Sequence, residues 1–387
     1  MKRNRNLLAA AFALTAVAYG LARFAFGLLL PQIRADLSLD IASTGWIGSS
    51  AFVAYCVGVL AAFLCAHLLS TRMIAFGAGL CCSIGMVIVL GADSGLTLGI
   101  GIALSGLGTG LTSPPLASAV ALRFDEPGRP RANAMINAGT AAGIVLSGVA
   151  SLMAVGQWRA LYATFALIGC AVTTWIFFAL PASRERGSAE RLSLSGLMRP
   201  PMPALCSGAF LMGASSTAIW TFGGNILRDT FKVSETTVGW IWVALGLAGV
   251  IGAASGVLTQ RFGVLRVHRI ALVGMALGIA GLAATPIALA SAFASAALFG
   301  AAYITSSATY LLQAIALLPG RPDLGIGIAF LLIAVGQSSG APLFGALLEH
   351  GGVIVALGVF SGVALLAALI SRQPPGRCRA PEEHRHG

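Results

Sequence analysis

Long apolar segments alternate with short polar connections along almost the whole chain. Each segment has about 20 residues or more, the length that an α-helix needs to cross a hydrocarbon layer about 30 Å thick. The pattern predicts twelve membrane-spanning helices in two groups of six, separated by a polar stretch at 181–203. The predicted spans are 7–30, 43–69, 73–92, 96–121, 131–154 and 158–180 in the first group, and 204–227, 238–259, 267–289, 291–318, 324–347 and 351–371 in the second.

The composition excludes a soluble globular protein. Of the 387 residues, 57% are hydrophobic and only 10% are charged, and the mean hydropathy is +0.88. Soluble domains carry roughly 25% charged residues. We therefore predict an all-α membrane protein with two pseudo-symmetric six-helix bundles, 1–180 and 204–371, a cytoplasmic linker loop at 181–203 and a disordered cytoplasmic tail at 372–387.

The positions of the basic residues predict the orientation. Nineteen of the 24 Lys and Arg fall in connections that share a side with both termini, four fall in the opposite connections, and Arg23 lies inside the first span. Because Lys and Arg are enriched in cytoplasmic connections, both termini are predicted to be cytoplasmic, in a cytoplasmic (inner) membrane. The net charge of +11 is then a topology signal, and no nucleic-acid partner is expected. The first apolar run exceeds a signal-peptide core and should be retained.

The two groups of spans repeat each other. The segment 34–37 followed by Gly45-Trp46-Ile47 recurs 194 residues later as 228–231 followed by Gly239-Trp240-Ile241. Glycines with identical spacing stand in the fifth and eleventh spans, at Gly139, Gly143 and Gly148 and at Gly336, Gly340 and Gly345. A parallel duplication of two six-helix halves predicts a substrate site between them near the bilayer midplane, with rocking of one half against the other as the transport step.

Twelve spans, a polar mid-chain loop and this duplication resemble the major facilitator superfamily of secondary transporters over the whole chain. In that family the loop after the second span reads Gly-x-Leu-Ala-Asp-Arg-x-Gly-Arg-Arg. The copy after the eighth span here keeps Gly256, Arg261 and Gly263, with Gln260 in place of the acid, whereas the first copy keeps little beyond Arg72. The resemblance implies a gating role for these residues. Since Gln260 cannot pair ionically, closure is expected to depend more on neutral contacts, and a plain surface role stays open.

The glycines of the fifth span are similar to the Gly-x-x-x-Gly-Pro-x-x-Gly-Gly motif of antiporters in that family. Ile144 replaces the proline of the motif, which disfavours export by antiport. We expect the glycines to serve close packing and sliding of helices rather than ligand contact. Pro114 and Pro115 should interrupt the hydrogen-bond ladder of the fourth span beside Gly106, as a hinge or as static packing.

The spans contain almost no titratable groups. All 13 acidic residues and the five histidines lie in connections, at span ends or in the tail. Intramembrane proton relays and organic-cation sites need such groups at depth, so both are disfavoured, while sodium coordination by neutral oxygens stays open. The seven cysteines have no metal-ligand spacing. We expect no disulfide, no metal and no cofactor.

Arg23 is the single charge inside a span. An unpaired arginine at such depth costs at least about 2.5 kcal/mol. Either Arg23 faces the central cavity and binds an anion through its planar fork, or it reaches the outer headgroups or helix-end carbonyls. Tyr19, one turn away on the same face, could share the ligand. The other candidate substrate-binding residues are Asn137, Trp220, Asn225, Tyr303, Ser306, Tyr310, Gln313 and Gln337. For the stripe from Tyr303 to Gln313, interhelical hydrogen bonding is the alternative.

These observations predict a secondary transporter, not an enzyme, that moves a small organic anion or zwitterion by alternating access, with Arg23 as the anchor. Its expected partners are the lipid bilayer, the small-molecule substrate and a coupling ion, and we expect a monomer. An exporter of amphipathic compounds, with Arg23 in a structural role, is one alternative. A receptor or scaffold that does not transport is another.

Overall fold

The computed structural model describes residues 2–183, 202–252, 255–318 and 322–372, and all regular structure in these ranges is helical. Most of the predicted 181–203 linker and all but the first residue of the predicted 372–387 tail lie outside the described residues. The first-half helices are α1 (Lys2–Thr15), a π-helical segment (Ala16–Phe24), α2 (Ala25–Leu37), α3 (Ile41–Cys65), α4 (Thr71–Leu90), α5 (Gly95–Arg123), α6 (Arg129–Met153) and α7 (Trp158–Ala179).

The second half begins at Met202. Its helices are α8 (Met202–Trp220), α9 (Gly223–Asn225), a second π-helical segment (Ile226–Thr230), α10 (Glu235–Gly252), α11 (Ser255–Phe262), α12 (Val264–Gly281), a 3-10 turn (Leu282–Ala284), α13 (Leu289–Leu317) and α14 (Pro322–Ile370). The backbone of α14 is non-helical at Gly352, where φ is 77° and ψ is 169°. This positive φ is a conformation that glycine adopts at no steric cost.

The described helices approach the predicted count of twelve spans. Ten are long and apolar enough to cross a membrane, and an eleventh forms if Glu235–Val250 and Ser255–Phe262, bent by 51°, are taken as one. The last of the ten, Gly325–Ile370, has 46 residues, about twice the length that one span needs. Division of this stretch at Gly352 would give twelve.

The first span is longer than the predicted 7–30. It extends from Arg3 to Leu37, and α2 continues through Pro31 until Ser38 adopts a left-handed backbone conformation with φ of 51°. Arg34 therefore lies in the last helical turn rather than in a connection. The prolines of α5 also leave their helix uninterrupted, because α5 continues through Pro114 and Pro115 as far as Arg123.

The two sides of the molecule are distinguished by their polar contacts. On what we call the Arg34 side, Arg34 Nη1 lies 2.8 Å from Asp229 Oδ2 across the two halves. On the opposite, Arg72 side, Arg72 Nε donates to the carbonyl oxygen of Leu180 at 2.9 Å. The basic connections belong to the Arg72 side, which is the side predicted to be cytoplasmic.

Glycines allow backbone contact within each half. A Cβ at Gly139 or Gly143 of α6 would lie closer than 3.0 Å to the backbone of the first span, and Gly106 of α5 approaches α3 in the same way. Gly336 and Gly340 of α14 approach α8 as closely. The fifth span thus packs on the first as the eleventh packs on the seventh.

Other glycines bring the two halves together. Gly27 of α2 packs against the backbone carbonyl of Trp220, and Gly224 packs against the backbone carbonyl of Gly27. Gly148 of α6 lies against α10, and Gly345 of α14 lies against α3. Ser49 of α3 donates its hydroxyl proton to the Ser338 carbonyl of α14 at 2.6 Å. These contacts lie in the parts of the helices nearer the Arg34 side, so the halves are packed together on that side.

Candidate functional site

The centre of the first span carries the π-helical segment Ala16–Phe24, and both Tyr19 and Arg23 lie on it. Departures of this kind from the α-helix occur frequently at functional sites. Gly20 of the same segment brings it into contact with the Gly143 backbone of α6. The side chain of Arg23 lies between the two halves, since it contacts Tyr55 of the first half and Gln337 of the second.

Arg23 is buried among aromatic rings and is 9% exposed. Its guanidinium carbon lies 4.4 Å from the ring centre of Tyr55 and 4.9 Å from that of Phe52. The ring of Phe24 lies 5.4 Å away. The three ion pairs among the described residues all lie on the Arg34 side, and none includes Arg23. A buried positive charge here has aromatic faces around it but no carboxylate.

Gln337 of α14 connects Arg23 to the second half. Arg23 Nη2 donates a hydrogen bond of 2.7 Å to Gln337 Oε1. The amide Nε2 of Gln337 donates to Ser216 Oγ of α8 at 3.2 Å and to the Tyr303 hydroxyl of α13 at 3.3 Å. One buried side chain therefore joins the guanidinium of the first half to three helices of the second.

Three hydroxyl groups form a small cluster on the first-half side of Arg23. The Tyr19 hydroxyl lies 2.9 Å from Ser113 Oγ of α5 and 3.4 Å from the Tyr55 hydroxyl of α3. Tyr55, Ser113 and Ser216 were not among the residues predicted from the sequence. The signal that could have indicated Tyr55 is the small number of tyrosines, five in the chain, of which three surround Arg23.

Trp220 lies at the junction of the halves, next to Arg23's neighbour Phe24. The two rings stack with centroids 4.1 Å apart. Tyr303 and Phe299 of α13 meet the same indole edge to face, at 5.1 Å and 5.4 Å. Trp220 Nε1 is buried without a hydrogen-bond partner among the described residues. This aromatic cluster borders the site on the Arg34 side.

The predicted polar stripe of the tenth span is divided by the structure. Tyr303 contributes to the site, whereas Ser306 Oγ and Gln313 Nε2 donate to carbonyls of their own helix, at 3.0 Å and 3.3 Å. Tyr310 is buried beside His268 of α12, with ring centroids 4.3 Å apart. His268 lies near the start of α12, as expected, and is fully buried, with its Nδ1 2.7 Å from the Thr309 hydroxyl.

The two predicted asparagines lie away from Arg23's hydrogen bonds. Asn225 donates its amide proton to Asp229, which also pairs with Arg34, so it belongs to the polar contacts of the Arg34 side. Asn137 of α6 is exposed. The structure therefore brings Arg23, Tyr19, Trp220, Tyr303 and Gln337 together, and not the other predicted binding residues.

The residues of the predicted gating motif lie on the Arg72 side. Gly256, Gln260, Arg261 and Gly263 are exposed on or just after α11. Arg72 caps the carboxyl end of the last first-half helix through the Leu180 carbonyl. Arg269 Nη2 does the same at the end of the second half, donating to Ser371 O at 2.8 Å. Arg72 thus contacts its own half.

The site combines one buried cation with hydroxyl, amide and aromatic groups, an arrangement that can bind and orient an anion. Among the described residues no cluster of His, Cys, Asp or Glu could hold a metal ion. Backbone contact between the halves on one side of a central polar site is the arrangement expected of a transporter with two related helical halves.

The comparisons agree with this class. The chain belongs to the family described as uncharacterised MFS-type transporter YbfB, whose family model matches residues 15–372. No curated protein sequence matches the chain significantly.

Solved transporter structures share the fold. A mutant of the nucleoside transporter NupG superposes with a TM-score of 0.78 at 15% identity, covering 94% of this chain and 98% of that chain. A D-xylose–proton symporter gives a TM-score of 0.77 at 15% identity, covering 94% and 96%. A bacterial homolog of the human lysosomal transporter Spinster, in an inward-facing and occupied conformation, gives 0.74 at 14% identity, covering 96% of each chain. At this level of sequence identity, the comparisons support a shared fold alone.

Proposed function

We propose that this transporter moves a small organic anion by alternating access, with Arg23 as the residue that binds the anion. The carrying observation is the guanidinium of Arg23, which is 9% exposed and has no carboxylate partner among the described residues. Burial of an unpaired charge is unfavourable by several kcal/mol. A substrate anion offsets that cost, because its carboxylate supplies the missing negative charge.

The halves that rock are the predicted bundles 1–180 and 204–371. Their contacts through Gly27, Gly148 and Gly345 support an arrangement closed on the Arg34 side. With the basic connections in the cytoplasm, the Arg34 side faces out of the cell, and these contacts separate the site from the outside. Both termini and the 181–203 loop are cytoplasmic in this proposal, and the membrane is the cytoplasmic membrane.

The proposal extends to zwitterions only with one further interaction. A zwitterion needs a partner for its ammonium group, and within the described residues no carboxylate lies beside Arg23. The hydroxyls of Tyr19 and Ser113 and the ring of Trp220 supply neutral or cation–π contacts for such a group. A coupling ion is part of the proposal, and the protein works as a monomer in the bilayer.

The test is thermal stabilisation of the purified protein in detergent by benzoate, lactate, succinate and, as a lipophilic cation, tetraphenylphosphonium. A ligand at 100 times its dissociation constant adds about 2.7 kcal/mol of stability. We expect a shift with an anion, its loss in Arg23→Ala and partial retention in Arg23→Lys, which keeps the charge but not the fork. Arg72→Ala is the matched control, because Arg72 also donates to one oxygen acceptor but lies at a helix end.

Two results would redirect the proposal. A shift only with tetraphenylphosphonium or neutral compounds would assign Arg23 a structural role and favour an exporter of amphipathic compounds. Binding of an anion without counterflow in proteoliposomes would favour a receptor or scaffold over a transporter. Loss of folded Arg23→Ala protein with unchanged anion binding per molecule would also contradict the anchor role.

A further inference from the structure

Gln337 occupies one of two neighbouring donors on the edge of the Arg23 guanidinium. Nη2 donates to the amide oxygen of Gln337 at 2.7 Å. The adjacent donor, Nε, is buried and has no hydrogen-bond partner among the described residues. Nε and Nη2 project in parallel from one edge of the guanidinium, the edge that a carboxylate fits with its two oxygens.

An amide can satisfy only half of this edge. Gln337 has a single acceptor oxygen, and its nitrogen donates instead to Ser216 and Tyr303. The nitrogen therefore points away from Nε, which is left unpaired, and an unpaired buried donor is unfavourable. A carboxylate in the same plane would place one oxygen on Nη2 and the other on Nε. The donor pair is thus better matched to a carboxylate than to the amide that contacts it.

The hydroxyls and amide around the guanidinium suit the same ligand. The amide nitrogen of Gln337 donates a hydrogen bond to the Tyr303 hydroxyl. When a ligand displaces the Gln337 oxygen from Arg23, this nitrogen remains in the site as a hydrogen-bond donor. Aromatic faces of Tyr55 and Phe52 cover the guanidinium. The Nε and Nη2 edge is the part of the guanidinium that still lacks a hydrogen-bond acceptor, at Nε.

We propose that Gln337 is a specificity-determining residue that stands in for the substrate's carboxylate on Arg23 and is displaced when the carboxylate binds in bidentate fashion to Nε and Nη2. This inference rests on the proposed function and specifies its substrate as a carboxylate, which has two acceptor oxygens, rather than a monatomic anion such as chloride. Because the Arg23–Gln337 bond joins the two halves, the displacement releases a contact between them when the substrate binds.

Two substitutions of Gln337 are expected to change carboxylate binding in opposite directions. Gln337→Glu gives Arg23 two oxygens from the protein itself, so carboxylate binding should weaken at least about tenfold, the factor for one hydrogen bond to a charged group of about 1.5 kcal/mol, while the protein without added ligand melts at a higher temperature. Gln337→Ala removes the competing amide. The dissociation constant of the carboxylate should then fall at least about threefold, the factor for an average interhelical hydrogen bond of about 0.6 kcal/mol.

The measurement is a thermal-shift titration of each variant with the panel carboxylate that stabilises the wild-type protein most, with chloride as the single-point anion. Gln32→Ala, a glutamine of α2 on the Arg34 side, is the matched control and should keep the wild-type dissociation constant. The opposite signs expected for Gln337→Ala and Gln337→Glu separate this role from a general loss of folding, which would lower the melting temperature of both.

The outcomes distinguish the inference from the proposed function. If no carboxylate shifts the wild-type melting temperature, the proposed function fails and the role of Gln337 fails with it. If a carboxylate shifts the wild type but not Arg23→Ala, and Gln337→Ala binds it more weakly than the wild type, Gln337 is a direct ligand contact and only this inference is overturned. Unchanged carboxylate binding in Gln337→Glu, or equal competition by chloride, would overturn it as well.

Discussion

Closure of the Arg34 side should be sensitive to a single methyl group at Gly27. A Cβ built at Gly27 would lie 1.9 Å from the carbonyl oxygen of Trp220 in the other half, whereas ordinary van der Waals contact begins near 3.4 Å. In Gly27→Ala the two backbones must separate by about 1.5 Å, or both helices must distort. The oxygen belongs to the backbone, so no side chain can rotate away.

The size of the effect follows from the cost of overpacking, which is typically about 1–3 kcal/mol. Because Gly27 and Trp220 belong to different halves, we expect the clash to be relieved where the halves separate on the Arg34 side, so that its cost acts as a shift between arrangements. It corresponds to a change of about 5- to 150-fold in their ratio. Gly27→Ala is therefore expected to favour a population in which the Arg34 sides of the two halves are further apart.

Double electron–electron resonance can measure this separation. Spin labels at Asp93→Cys and Glu349→Cys, exposed positions of the first and second halves, report the distance in a background without the seven native cysteines. We expect longer distances in Gly27→Ala. Gly358→Ala is the control, since nothing lies within 4 Å of a Cβ at that position. Identical distance distributions in Gly27→Ala and the background, or equal shifts in both variants, would refute the argument.

Asp229→Asn should move the same label distances in the same direction but less, because the ion pair with Arg34 is partly exposed and such pairs contribute about 0.2–1 kcal/mol; a larger effect than that of the glycine variant would contradict this ranking. Asp40 caps α3, and the Ser43 backbone N–H lowers the pKa of its carboxyl. The carboxylate therefore stabilises the fold above its unfolded pKa of about 3.9, and this stabilisation is lost as pH falls through the lower folded pKa. Asp40→Ala should melt below wild type at pH 6 and converge with it below that pKa; a difference independent of pH would exclude the linkage. Thr309→Val removes the hydroxyl partner of the buried α12 histidine and should destabilise the protein by about 0.6–1.7 kcal/mol in detergent unfolding assays, and unchanged stability would show that the bond contributes nothing.

The class of protein could be predicted from the sequence because a bilayer imposes a strong one-dimensional pattern. Apolar segments of sufficient length, few charges and a repeat after 194 residues require helices and indicate two related halves. The family and the fold agree with that prediction. The bounds were less accurate, as the first span shows: its helix includes Arg3 and Arg34, because charged side chains near helix ends can extend to the interface.

The candidate site could be predicted only in part. Arg23 and Tyr19 were indicated by being polar within one apolar span, and Gln337 and Tyr303 by being polar in two others. Which of these polar residues meet depends on how helices distant in sequence pack, and the structure joins Arg23 to Gln337 across 314 positions. A period of 3.6 residues places Tyr310 on the same stripe as Tyr303, but cannot tell that Tyr310 faces His268 instead.

The sequence by itself determined that this is a polytopic membrane protein of duplicated helical halves with a single arginine inside an apolar span, because hydropathy, charge placement and repetition follow from the order of residues along the chain. Only the tertiary structure decided which edge of that arginine is paired, which glycines join the halves and on which side they meet. These are properties of close packing. Whether a glycine contacts another helix, and whether the Nε of Arg23 has an acceptor, depends on residues that lie far away in the sequence.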